Sequence, residues 1–101
     1  MGDSAGGNLA TVVSLHARDH GGPKIDFQLL IYPGTDQRAA HPSVARNGEG
    51  YLLTKKSIEY FRGHYLPNPK DYLDWRASPL LAKSLAGLPP AFVMTAGFDP
   101  L

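Results

Sequence analysis

The stretch Gly2-Asp3-Ser4-Ala5-Gly6-Gly7-Asn8-Leu9-Ala10 decides how this chain is read. Its first five residues fit G-x-S-x-G and stand directly ahead of a helical pattern. Apolar residues fall at Ala5, Leu9, Val12, Val13 and Ala17, the i, i+4, i+7, i+8 spacing of a one-sided helix over Ala5 to His20. A serine ahead of such a helix has two readings. It can be an N-cap whose hydroxyl satisfies a free first-turn N–H. It can also be a nucleophile held on a sharp, strained strand-to-helix turn, with Gly2 and Gly6 removing side chains that would collide with the turn or the neighbouring strand. In the second reading the N–H of Ala5 faces the place where an oxyanion forms, and the helix dipole favours negative charge there. One such donor is worth about 3–4 kcal/mol in a transition state. The pentapeptide alone leaves these two readings level.

Outward from that stretch, Gly21-Gly22-Pro23 closes the helix with a left-handed cap position and a residue that cannot continue it. Phe27 to Tyr32 is short and apolar, and Pro33-Gly34 stops it, as in a strand covered on both faces. Residues 35–50 are polar and broken and read as loop. Thr54 is the expected N-cap of a second helix, Lys55 to Tyr65, ended by Leu66-Pro67-Asn68-Pro69. Leu80 to Ala86 is expected to form a short helix closed by Gly87. Ala91 to Ala96 reads as a second buried strand ending at Gly97. Strands alternating with helices predict the α/β class with parallel strands and flanking helices. Two strands alone are too few for a stable sheet.

Composition narrows the function classes. A chain of 101 residues, 43% hydrophobic and 19% charged, fits one small globular domain. The formal net charge is +1 and no block of like charge occurs, so neither a nucleic acid nor an anionic membrane is an expected partner. With no Cys, disulfide frameworks, thiolate metal sites and a Cys nucleophile are excluded. The apolar run Leu29 to Tyr32 is far short of a membrane span, so no membrane insertion is expected. No basic flank leads into an apolar run at the start, which favours a cytoplasmic over a secreted placement.

Three separated stretches resemble the hormone-sensitive-lipase-like esterases of the α/β-hydrolase superfamily, in the order that family has them. The first is the stretch quoted above, similar to the family's nucleophile elbow. The second is Arg76-Ala77-Ser78-Pro79-Leu80 with Leu85-Ala86-Gly87-Leu88-Pro89-Pro90, which looks like the approach to a late core strand. The third is Ala96-Gly97-Phe98-Asp99-Pro100-Leu101, which looks like the end of that strand, where the family carries its catalytic acid. Carried over, the resemblance implies Ser4 as nucleophile, Asp99 as triad acid and the Ala5 N–H as one arm of the oxyanion hole, with Gly2, Asp3 and Gly6 completing the elbow. Ser before Asp before His is the chain order of this fold. The family implies hydrolysis of a small-molecule carboxylic ester through an acyl-enzyme, with no metal or organic cofactor. It also implies that residues from about 38 to 72 belong to a lid-like insertion, whose aromatic residues either line an acyl pocket or simply pack.

The expectation from this resemblance is a central portion of such an enzyme, inactive by itself, because no His follows Asp99 and no H-G-G-G-type loop precedes Met1. Whether the full-length protein forms a homo-oligomer stays open. His16, His20, His41 and His64 are expected at surface or packing positions. His16 and His20 have i, i+4 spacing, yet no third ligand backs them, so no zinc site is expected. Asp36 reads as a turn residue. The alternative function is a small-ligand-binding relative on the same fold that has lost catalysis. Keeping both Ser4 and Asp99 speaks against that alternative.

Overall fold

In a computed structural model describing residues 1–101, three parallel strands form one sheet. β1 is Gly2–Asp3, β2 is Gln28–Ile31 and β3 is Ala91–Met94, side by side in the order β1-β2-β3. The register aligns Asp3 with Ile31 and Ile31 with Met94, so all three strands end at the same edge. Here lies the third strand missing from the expected pair. At two residues, β1 is too short to show a period of its own. The strands at 28–31 and 91–94 are trimmed versions of those expected over 27–32 and 91–96.

The first helix, α1 (Ala5–Asp19), leaves β1 after one residue and packs on β1 and β2. It ends as expected: Gly21 is left-handed at φ 73° and the N–H of Gly22 reaches back to the carbonyl of Ala17 at 2.8 Å. Its buried face, however, is not the apolar stripe. Gly7, Asn8, Thr11, Ser14, Leu15 and Ala17 are buried, while Leu9 and Val13 are more than half exposed. Small residues let the helix lie close to the sheet. The Thr11 and Ser14 hydroxyls donate to the carbonyls of Gly7 and Ala10, each at 2.9 Å, so their burial leaves no orphan donor.

Between β2 and β3 lie two helices, α2 (Pro42–Asn47) and α3 (Lys55–Tyr65). The second matches its expected bounds, and Thr54 Oγ1 accepts the N–H of Ser57 at 3.1 Å as the N-cap. The first corrects the reading of 35–50 as loop. It has Pro42 at its first position, which needs no N–H there, and only six residues, too few to display periodicity. The helix expected over 80–86 is reduced to a single 3₁₀ turn, Pro79–Leu81. Beyond it the chain is held by Arg18, whose guanidinium donates to the carbonyls of Ser84 and Ala86 at 2.8 Å each. The burial expected of β3 is not met within these 101 residues: its packing is on β2, its faces are left uncovered, and all four of its residues are exposed. No helix is long and apolar enough to cross a membrane.

Candidate active site

Ser4 sits between the end of β1 and the first turn of α1 at φ 50°, ψ −117°. A positive φ is uncommon for a residue carrying Cβ and is maintained only where the surroundings dictate it. Here they do so from three sides. The N–H of Ser4 donates to the carbonyl of Ile31 on β2 at 2.9 Å, and its own carbonyl accepts from Asn8 N–H at 3.1 Å and Gly34 N–H at 3.3 Å. The hydroxyl makes no capping bond. That removes the N-cap reading, one of the two the pentapeptide left open. The N–H of Ala5 donates to no group of the chain and stands at the positive end of the helix dipole.

The glycines around the turn are unequal. A Cβ on Gly2 would lie 2.3 Å from the carbonyl carbon and oxygen of Gly6, and backbone cannot yield that much. A Cβ on Gly6 would meet only Asp3 Oδ1 at 3.7 Å, an ordinary contact. The space requirement attributed to Gly6 belongs instead to Gly7. A Cβ there would come within 2.8 Å of Pro33 Cβ and 3.0 Å of its Cα, because the segment after β2 presses on the first turn of α1. The signal for Gly7 was present in the sequence as two adjacent glycines inside a helix, each costing about 1 kcal/mol against Ala.

Asp99 lies in the turn just past β3, at the same edge of the sheet as Ser4. The two residues follow strands that flank β2. Two strand spacings of about 4.8 Å separate the strand ends Asp3 and Met94, roughly 10 Å in all, with Ser4 directly after the first and Asp99 in the turn that follows the second. Asp99 is partly exposed, and its Oδ1 accepts the N–H of Leu101 at 2.8 Å, so the carboxylate is oriented by its own turn. The turn is fastened by α2, which sequence reasoning missed. Ser43 Oγ donates to the carbonyl of Pro100 at 2.8 Å and Asn47 Nδ2 to that of Asp99 at 3.3 Å, while Pro100 is fully buried.

Neither Ser4 nor Asp99 hydrogen-bonds to any of the four histidines. His16 and His20 stack on each other near the far end of α1, with ring centroids 4.0 Å apart, and His64 packs edge-on against Tyr60. His41 lies 3.7 Å from the buried carboxylate of Asp36. Asp36 is more than a turn residue: Arg38 grips its carboxylate in a fork with bonds of 2.7 and 2.9 Å. That hydrogen bonding holds the carboxyl below its usual range, against the opposing effect of burial. Away from this edge, one cleft opens between the last turn of α1 and Gly87–Pro89. Its lining includes no His, Asp or Glu.

Comparison with known proteins agrees with the fold. A family model described as alpha/beta hydrolase fold matches residues 1–101. The carboxylic ester hydrolase LipN of Mycobacterium tuberculosis is 51% identical over 105 residues, covering 99% of this chain and 28% of its own length. The ethyl acetate hydrolase of Pseudomonas putida is 41% identical over 104 residues, covering all of this chain and 32% of its own length. Among solved structures, carboxyl esterase 2 of Tuber melanosporum superposes with a TM-score of 0.93 at 36% identity, over 98% of this chain and 33% of that one. The chain thus spans about a third of the length of the relatives it matches.

Proposed function

This chain belongs to the hormone-sensitive-lipase-like esterases of the α/β hydrolase fold, and on that premise we propose that it carries the nucleophile, Ser4, and the acid, Asp99, of a carboxylic ester hydrolase. The observation that carries the reading is the left-handed serine at the strand-to-helix turn, its hydroxyl unused as a cap, with a carboxylate at the same sheet edge two strands away. The relatives named above, one an ethyl acetate hydrolase, support small carboxylic esters as the substrate class.

In this reading Ser4 Oγ attacks the acyl carbonyl carbon while a histidine removes its proton. The Ala5 N–H receives the developing oxyanion, and the alcohol leaves with the proton returned by the imidazole. Water then attacks the acyl-enzyme by the same route and releases the acid. Asp99 orients the imidazole and stabilises its charged form. In this proposal the imidazole and the second oxyanion donor come from sequence outside these 101 residues, in keeping with relatives of which this chain covers 28% and 32%. In this proposal the segment 38–72, with α2 and α3, is the lid-like part, and Tyr60, Phe61 and Tyr65, exposed on α3, supply its apolar surface.

The test is hydrolysis of p-nitrophenyl acetate and butyrate by the whole natural polypeptide that carries these residues. Turnover lost in Ser4→Ala supports the reading. Turnover unchanged in that variant overturns it. Residues 1–101 alone are expected to show no turnover.

A further inference from the structure

We propose that Asn8 is a positioning residue for this reaction, one whose side-chain amide holds the backbone of Ser4 in its left-handed conformation. The inference rests on the reading of Ser4 as the nucleophile. Asn8 is 3% exposed, unusual for an amide side chain inside a helix, and nothing in the reaction scheme accounts for it. A carboxamide carries two N–H donors. Both are engaged: Asn8 Nδ2 donates to the carbonyl of Gly34 at 2.5 Å and to that of Ala77 at 2.7 Å.

The bond to Gly34 closes a ring. Gly34 receives the Asn8 amide on its carbonyl and gives its own N–H to the carbonyl of Ser4, which also accepts the main-chain N–H of Asn8. Ser4, Asn8 and Gly34 are thereby mutually fixed by three hydrogen bonds. The second bond brings in the segment around Ala77. That segment is itself tied to the one after β2: the Leu80 N–H donates to the carbonyl of Thr35 at 3.1 Å, and Ser78 Oγ accepts the Gln37 N–H at 2.8 Å. Two loops far apart in sequence therefore converge on one side chain located a single helical turn behind the nucleophile. Without its donors, two inward-facing carbonyls lose their partners, and the loop bearing Gly34 is free to leave Ser4. A nucleophile whose backbone is overdetermined in this way keeps its reacting geometry between turnovers.

The experiment uses the whole natural polypeptide with Asn8→Leu, which keeps the side chain's approximate shape and deletes both donors. Three quantities are read: kcat and KM on p-nitrophenyl butyrate, the rate constant for labelling of Ser4 by a fluorophosphonate, and the folded fraction from a thermal melt. The expected result is a fall of tenfold or more in kcat and in labelling rate per folded molecule, with KM changed less than twofold. An unchanged kcat per folded molecule, even with a lowered melting temperature, overturns the proposal and leaves Asn8 a packing residue. Should Asn8→Leu not fold, Asn8→Asp decides. Its carboxylate faces two carbonyls without a proton and regains one donor only when neutral, so its kcat relative to the parent rises as pH falls; a flat ratio overturns the proposal. Ser4→Ala in the same assay separates the two claims. If it retains turnover, the nucleophile assignment fails. If it is inactive while Asn8→Leu is fully active, only the positioning role fails.

Discussion

The N–H of Ser4 donates to the carbonyl of Ile31 at 2.9 Å, so the bond that ends the β1–β2 ladder also sets the backbone of Ser4. Strand pairing and site geometry are one feature here. Whatever keeps α1 seated against the end of β2 keeps Ser4 at its positive φ.

Glycine substitutions test that coupling. Gly2→Ala and Gly7→Ala place a methyl group 2.3 Å and 2.8 Å from their nearest heavy atoms, whereas Gly6→Ala meets nothing closer than 3.7 Å. The first two should destabilise by several kcal/mol, in the range of overpacking, and lose esterase activity. Gly6→Ala should stay folded and gain slightly from improved helix propensity. Melting temperatures of the three variants, with p-nitrophenyl ester turnover, check the ranking. A Gly6 variant as damaged as the other two contradicts it.

How much was legible in the sequence follows from how local each determinant is. The strand-to-helix turn at Ser4 could be read because a positive φ, a helix start and a close backbone approach are written in adjacent residues. α3 could be read because Thr54 caps it and prolines end it. The face that α1 buries could not. It is chosen by how near the sheet lies, which favours Gly7, Asn8 and Thr11 over the more apolar Leu9 and Val13. α2 and its hold on the Asp99 turn depend on contacts more than fifty residues apart in sequence, Ser43 to Pro100 and Asn47 to Asp99, and no local pattern announces them.

Asp99 offers a substitution that separates structure from chemistry. Asp99→Asn keeps an oxygen acceptor for the N–H of Leu101 and so preserves the turn. It removes the negative charge that an imidazolium needs. The expected outcome is a kcat lowered on the order of 10⁴-fold with little change in melting temperature. Asp99→Ala should lose both the rate and part of the turn's stability. Equal melting temperatures for Asn and Ala, or substantial activity in Asp99→Asn, contradict the assignment.

The capping bond of Thr54 bears on α3 alone. Its Oγ1 accepts the Ser57 N–H and pairs with the Ser57 hydroxyl at 2.9 Å. Thr54→Ala should cost about 1 kcal/mol. If α3 belongs to the proposed lid, with Tyr60 and Phe61 on it, the kinetic effect should fall on KM for longer acyl chains and spare kcat. Comparing p-nitrophenyl acetate with octanoate reads this directly, and a kcat loss on acetate contradicts the lid proposal for α3.

Asp36 sets the acid limit of the fold at this edge. Its carboxylate is nearly inaccessible, forked by Arg38 and faced by His41 at 3.7 Å, and hydrogen bonding to Arg38 lowers its pKa below the ordinary value. A carboxyl with a folded-state pKa below its unfolded one contributes stability that is present above the unfolded value, about 3.9. That contribution is lost as pH falls through the folded value, when the protonated Asp36 releases Arg38. The whole polypeptide and its Asp36→Asn variant should therefore differ most in melting temperature above about pH 5, and the difference should shrink steadily below about pH 4. A difference that stays constant down to pH 2.5 shows that Asp36 stabilises by shape alone and not by its charge.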